Sequence, residues 1–156
     1  MRDISLTLAP TFVTFTPWTT WSSYRELLET IVELDLVENV APIQLAIRLL
    51  IPEGSRLLEL AETRQKIGDF DSCALSYHWK HEDPSLDQLC ADIQKIVQME
   101  ERRGASRRAI FSKIWQLAHD RPLPPDFTRS KRDAVPHLSE PWYCCAEPTP
   151  EQLGSV

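Results

Sequence analysis

Residues 43–51, with the sequence IQLAIRLLI, form the stretch that decides the expected fold of this chain. The run is apolar apart from Gln44 and Arg48, and Pro52 and Gly54 close it. A short apolar run between turn residues is typical of a strand covered on both faces, although periodicity alone does not separate it from a buried helix segment. We interpret it as a buried strand.

The residues before this run predict a strand and a helix. Residues 4–16 alternate threonine with large apolar residues, which favours extended chain, and 12–16 is the better strand because Pro10 divides the segment. Apolar side chains then recur at helical spacing. Ser23 with Glu26 fits a capping box at the start of this helix, and Thr20 is an alternative N-cap.

A strand, a helix and a strand in this order normally give neighbouring parallel strands. The two outer edges of such a unit need partners, because unpaired strand edges invite association. The sequence offers no obvious strand to cover them. We therefore expect the N-terminal region to belong to a larger sheet.

The middle of the chain predicts mainly helices. A helix is expected over residues 55–67 and is ended by Gly68 in the left-handed conformation. A short extended piece is expected over residues 72–79, with the side chains of Cys73, Leu75, Tyr77 and Trp79 on one side.

Two more helices are predicted before the proline-rich tail. Asp83 is a suitable N-cap and Pro84 suits the first helical position, while Gly104 ends that helix. Ser106 opens the last helix. Its expected buried side chains are Ile110, Phe111, Ile114, Trp115 and Leu117.

Composition limits the classes of function. The chain has 156 residues and a net charge of −6, which argues against general affinity for nucleic acid. It has no apolar run of membrane-spanning length and no secretory leader pattern, so we expect a cytoplasmic protein without a membrane partner. Four cysteines at positions 73, 90, 144 and 145 are too few and too irregular for a disulfide scaffold.

Cys144 and Cys145 are adjacent, which is chemically unusual. Their Cα atoms lie about 3.8 Å apart across one peptide, closer than a relaxed disulfide prefers. A bridge between them would be strained and easily reduced, whereas the free thiols would offer two soft donors to a metal or an oxidant. Two plain thiols in a surface tail are the alternative. The cysteine spacings match no known zinc or iron–sulfur run.

The tail around these cysteines, residues 139–148 with the sequence SEPWYCCAEP, resembles the terminal signature of the CCAEP-tail (CUAEP-tail) radical SAM proteins. Some members of that family carry selenocysteine at one of the cysteine positions. The similarity continues through residues 15–20 (FTPWTT), 42–50 (PIQLAIRLL) and 77–84 (YHWKHEDP). It therefore covers nearly the whole chain.

The resemblance implies an α/β fold leaning to mostly α. Residues 1–54 would be the closing strand–helix–strand unit of a partial (β/α) radical SAM barrel. Residues 55–120 would form a helical extension, and residues 121–156 an irregular, Pro-rich tail with the vicinal cysteines.

For the full-length protein, the resemblance implies a [4Fe–4S] cluster that cleaves S-adenosylmethionine to a radical, and a cobalamin-binding domain in the larger relatives. The Cys-x-x-x-Cys-x-x-Cys run that holds this cluster is absent from the sequence. We therefore expect no cofactor on this chain alone, no activity alone, and an N-terminal radical SAM part as partner, in cis or in trans. The alternative is a small non-catalytic binding or thiol-redox module that uses Cys144 and Cys145.

Four residues are candidates for lining a pocket. Arg48 lies within an apolar run, so its guanidinium needs either an acidic partner in the protein or an anionic ligand. Gln44 lies on the same run, so its side-chain amide likewise needs either a hydrogen-bond partner in the protein or a ligand. Thr16 and Trp18 either face a ligand at the end of the first strand or only continue the sheet. His78 and His81 lack clear metal spacing, and we expect structural roles for them.

Overall fold

The computed structural model describes residues 9–125, which form a mixed α/β fold rich in helix with one small antiparallel sheet. The elements are helices α1 (Trp21–Glu33), α2 (Ala61–Lys66), α3 (Pro84–Arg102) and α4 (Arg107–His119), strands β1 (Ile67–Asp71) and β2 (Ser76–Trp79), and 3-10 helices at Pro42–Ala46 and Arg56–Glu59. Within these residues, no helix combines the length and apolar character needed to cross a membrane.

Helix α1 begins one turn earlier than the Ser23 cap would place it. Thr20 is the N-cap, and its hydroxyl accepts a hydrogen bond from the Ser23 amide at 3.1 Å. The Ser23 hydroxyl in turn accepts from the Thr20 amide at 2.9 Å, which completes a capping box. The alternative cap is therefore confirmed and the Ser23–Glu26 box is wrong, because Ser23 already lies inside the first turn.

The expected parallel pairing is present, but it is short. The Phe15 amide donates to Ile47 O at 2.9 Å, and the Leu49 amide donates to Phe15 O at 2.8 Å. These two bonds form a parallel bridge between Phe15 and Arg48. The two segments that α1 connects thus lie side by side and parallel, as predicted, but they share one isolated bridge and do not form the two full strands that were predicted. We call the extended segments around Phe15 and Arg48 the first and second strand.

The first half of the run 43–51 is not a strand, which corrects the sequence interpretation. Pro42–Ala46 is a 3-10 helix with proline in its first turn, where the missing amide costs nothing. Side chains from outside the run satisfy its carbonyls. Tyr24 donates its hydroxyl to Leu45 O at 2.9 Å, and Gln94 donates its amide to Ala46 O at 3.2 Å.

One edge of the strand pair is covered by residues of this same chain, contrary to expectation. The Tyr77 amide donates to Ile51 O at 2.8 Å, and Pro52 forms an antiparallel bridge with Ser76. Strand β2 therefore lies beside the second strand, and β1 pairs antiparallel with β2 on its far side. This hairpin falls inside the range expected to be a helical extension.

The predicted helix 55–67 is divided. Ser55 caps the 3-10 helix Arg56–Glu59, and Leu60 is extended at φ −78 and ψ 127, so α2 starts afresh at Ala61. Gly68 does not end α2 in the left-handed conformation. It lies in β1, and Gly54 and Gly104 are the glycines with positive φ among the described residues.

The ends of α3 follow the predicted signals. Asp83 is its N-cap and Pro84 lies in its first turn. At the other end, Gly104 has φ +70, its amide donates to Glu101 O, and the Ala105 amide donates to Glu100 O. This pair of bonds is the Schellman arrangement, which needs a residue at positive φ and therefore favours glycine.

One hydrophobic core joins α1, α3 and α4 around the 3-10 helix Pro42–Ala46. Tyr24 is buried within it, and this burial raises the pKa of the phenol well above its usual range. Leu117 was expected in the core but is 39% exposed, and Ala118 is buried instead. The completely or nearly completely buried large side chains are Tyr24, Phe15, Leu28, Ile31, Leu45, Ile51, Leu86, Ile93, Ile110 and Ile114.

The two glycines give a matched test of this fold. Gly104→Ala should lower the free energy of unfolding by about 1 kcal/mol, because alanine resists positive φ. Gly68→Ala should leave it unchanged or raise it by up to about 1 kcal/mol, because φ is not positive there and an added Cβ would meet His78 O at 3.6 Å, an ordinary contact. Urea unfolding measures both, and equal destabilisation would contradict the assigned conformations.

Candidate functional site

Four residues from separate segments are linked by hydrogen bonds where the carboxyl ends of the parallel strands meet the start of α3. We call Arg48, Asp87, His81 and Thr19 the Arg48 network. Arg48 comes from the second strand, Asp87 from the first turn of α3, His81 from the connection before it, and Thr19 from the turn before α1. The carboxyl ends of parallel strands are the usual place for a site in α/β folds.

Asp87 and Trp79 hold the side chain of Arg48 in place. Its Nη1 donates to Asp87 Oδ1 at 2.6 Å, and its Nη2 donates to Trp79 O at 2.8 Å. The guanidinium also lies over the Trp79 ring, 3.8 Å from its centroid. With its side chain 17% exposed, Arg48 thus has the acidic partner that a half-buried guanidinium needs.

His81 connects Asp87 to the turn before α1. Its backbone amide donates to Asp87 Oδ2 at 3.0 Å. On the ring, Nδ1 accepts from the Asp83 amide at 2.9 Å, which leaves the proton on Nε2 to donate to Thr19 O at 2.6 Å. Because a backbone carbonyl can only accept, the contact with Thr19 O requires a proton on Nε2.

Thr19 covers the outer edge of the first strand. Its hydroxyl donates to Thr14 O at 3.0 Å and accepts from the Thr16 amide at 2.9 Å. These are the backbone groups that a further strand would pair with, because the Phe15 groups between them face Ile47 and Leu49. The buried Thr19 hydroxyl thus satisfies two backbone groups that would otherwise bond to a neighbouring strand.

The start of α3 is tied to α1 next to this network. Trp21 Nε1 donates to Ser85 Oγ at 2.8 Å, and Ser85 donates its amide and hydroxyl to Asp83 Oδ1. These hydrogen bonds from Ser85 lower the pKa of the Asp83 carboxyl. In the same way, the hydrogen bond from Lys66 lowers the pKa of Glu82.

The structure places Gln44 apart from the other three predicted pocket residues. Gln44 is buried at the other end of the first strand, where its Oε1 accepts from the Phe12 amide at 2.9 Å. Arg48 is ion-paired with Asp87, which is the structural alternative for this residue. Thr16 and Trp18 lie together in the turn before α1: the Trp18 amide donates to Thr16 Oγ1, and the Trp18 side chain is 39% exposed.

The predicted cysteines fall in different environments. Cys73 is exposed in the turn between β1 and β2, whereas Cys90 is buried on α3 and donates to Ala46 O at 3.4 Å. Cys90 thus behaves as the small buried hydrophobe that its place on an apolar helix face predicts. Cys144 and Cys145 lie outside the described residues.

The two candidate histidines have structural partners. His78 Nε2 lies 2.8 Å from Asp71 Oδ2 in the hairpin, and His81 belongs to the Arg48 network. Across residues 9–125, no group of three or more His, Cys, Asp or Glu side chains is arranged to hold a metal ion.

The sequence reasoning missed Asp87, Thr19 and His81 as members of one network. An arginine inside an apolar run does signal a nearby acid, but the sequence alone offers many acids and does not select Asp87. No sequence pattern pointed to Thr19, because a hydroxyl that caps a strand edge has no characteristic spacing from the residues that it contacts.

Comparison with known proteins found no matching family model, no similar curated protein and no similar solved structure.

The Arg48 network holds four segments of the chain in place. Each polar contact of the network described above is made to another residue of the chain. In the turn before α1, Trp18 is 39% exposed, whereas its neighbours Pro17 and Thr19 are buried.

Asp87→Asn tests whether the network stabilises the fold. The neutral amide keeps the volume but removes the charge that Arg48 requires, so the free energy of unfolding should fall by about 1–3 kcal/mol. Glu59→Gln is the matched control, because the Arg56–Glu59 pair is exposed and 4.0 Å long. It should change stability by less than about 0.5 kcal/mol. Urea unfolding followed by tryptophan fluorescence measures both, and an equal effect would mean that Arg48 does not depend on Asp87.

Proposed function

We propose that this chain is a cytoplasmic C-terminal part of a radical SAM protein, and that it works with an N-terminal part that binds the iron–sulfur cluster. The observation that carries this proposal is the parallel pairing of Phe15 with Arg48 across helix α1. A strand, a helix and a parallel strand form the repeating unit of a (β/α) barrel. The proposal also rests on the resemblance of residues 139–148 to the CCAEP tail.

The described residues do not fit the cluster, since they bring together no group of three metal-ligating side chains. We therefore assign no reaction step to them. Under this proposal, the [4Fe–4S] cluster and S-adenosylmethionine belong to the N-terminal part, together with the cobalamin that the resemblance implies for the larger relatives.

The proposed role of this chain is to complete and close the barrel. Sites in such barrels lie at the carboxyl ends of the strands, where Trp18 is exposed and the Arg48 network fixes the backbone. Trp18 and Thr16 would line the substrate side of the site. Cys144 and Cys145 would approach the active centre from the tail and act there as a thiol pair.

A second candidate is a self-contained binding or thiol-redox module, and one observation favours it. Both edges of the strand pair are covered by residues of this chain: Tyr77 and Ser76 cover one edge, and Thr19 caps the other. A module that folds alone needs such protection, because open strand edges associate.

Sequencing the DNA directly upstream of the Met1 codon separates the two candidates. The leading proposal expects a continuous or frameshifted reading frame that encodes Cys-x-x-x-Cys-x-x-Cys. Joined to that part and reconstituted with iron and sulfide without oxygen, the protein should form adenosyl-radical products from S-adenosylmethionine, while this chain alone forms none. A separate promoter with no such frame nearby would favour the module, and product formation by this chain alone would overturn both.

The thiol pair is tested in the joined protein. Cys144→Ser and Cys145→Ser should each reduce product formation if the pair acts at the active centre. Cys73→Ser is the matched control, because Cys73 is a free, exposed thiol in the hairpin turn, and it should leave the rate unchanged. Full activity of both tail variants would remove the thiol pair from the proposed function.

A further inference from the structure

Strand β1 ends the sheet on one side. It pairs with β2, and within residues 9–125 no other strand lies along its far edge. Its middle residues Gly68, Asp69 and Phe70 are all exposed. A free edge of this kind can pair with an extended segment of another chain.

Gly68 is not explained by the fold of this chain. Its φ is not positive, and an added Cβ would meet His78 O at 3.6 Å, so a side chain fits there without strain. The bulge between Ile67 and Phe70 does not need glycine either, since the bulge type that requires it needs positive φ. Glycine in a strand often marks close approach of another backbone, and Gly68 leaves room for one at this exposed edge.

Two apolar side chains next to this edge are exposed at a cost. Leu75, in the turn that follows, is 67% exposed and has φ +52, where glycine or asparagine would be less strained. Phe70 is 37% exposed, with its ring edge-on to Tyr77 at 5.2 Å. Leu75 thus keeps apolar surface in a strained position, whereas Phe70 packs on Tyr77 and still leaves about a third of its surface exposed.

The negative charge of Asp69 indicates which kind of segment would pair with this edge of β1. Asp69 is exposed and forms no ion pair or side-chain hydrogen bond among the described residues. In a two-fold pair of β1 strands centred on Asp69, the carboxylate would face its own copy, and like charges directly opposite are unfavourable. The net charge of −6 also opposes a second copy. A basic residue opposite Asp69 would be favourable.

We propose that β1 is a docking strand for an extended segment of a partner protein, which carries Lys or Arg opposite Asp69 and apolar residues that cover Phe70 and Leu75. The segment pairs with the free edge of β1, and Gly68 lets its backbone approach closely. This inference is independent of the proposed function, because it uses a face of the hairpin away from the Arg48 network.

The test uses the full chain labelled with ¹⁵N and two synthetic peptides. One peptide alternates Lys with Val and Thr, and the other has Glu in place of each Lys. The Lys peptide should shift the backbone amide signals of residues 67–71 and bind about fivefold more tightly than the Glu peptide, as expected for a cross-strand charge pair. Asp69→Lys should reverse this preference, whereas Glu101→Lys, an exposed acid at the end of α3, should not.

Three results would overturn the proposal. The first is the absence of shifts at residues 67–71 with either peptide at millimolar concentration. The second is equal binding of the two peptides, or an unchanged preference in Asp69→Lys. The third is slow exchange in the free chain of all amides of residues 68–71, because the amides that point away from β2 would then also be protected by a second copy or by the chain itself. Asp69 has no partner to lose, so the variant should retain the amide spectrum of the folded protein elsewhere.

Discussion

The two backbone hydrogen bonds of Phe15 are the constraint on which the rest of this fold depends. The Phe15 amide donates to Ile47 O, and Phe15 O accepts from the Leu49 amide. Because these bonds pair the two strands in parallel, the connection through α1 has to run back along the pair. The Phe15 ring then packs against Tyr24 of α1, with centroids 5.0 Å apart. The helix is therefore fixed over the strand pair that it connects.

Around this pair, side chains complete hydrogen bonding that a larger sheet would otherwise provide. Thr19 caps the outer edge, and Thr14 donates its hydroxyl to carbonyls at Gln44 and Ile47. These side-chain hydrogen bonds matter for stability, because a buried peptide group without a hydrogen-bond partner costs about 1–3 kcal/mol. The sheet can remain this small because threonine hydroxyls and the β1–β2 hairpin satisfy its edges.

The sequence predicted elements where local signals were strong and failed where tertiary contacts decide. Helix α3 was predicted from Asp83, Pro84 and Gly104, because caps act within one turn. Strand β1 was missed, because glycine and aspartate fill three of its five positions and are rare in strands, so its strand state depends on pairing with β2. The pairing of Arg48 with an acid was one of two alternatives, but only the fold brings Asp87 to it.

Amide hydrogen exchange at Phe15 and Leu49 tests the central claim most directly, with Ile93 in the middle of α3 as the internal reference. Both amides donate in the parallel pair, so they should exchange as slowly as the buried Ile93 amide and open only with global unfolding. Fast exchange at Phe15 and Leu49 while Ile93 stays protected would contradict the account. The strand pair would then not be the element that organises the fold.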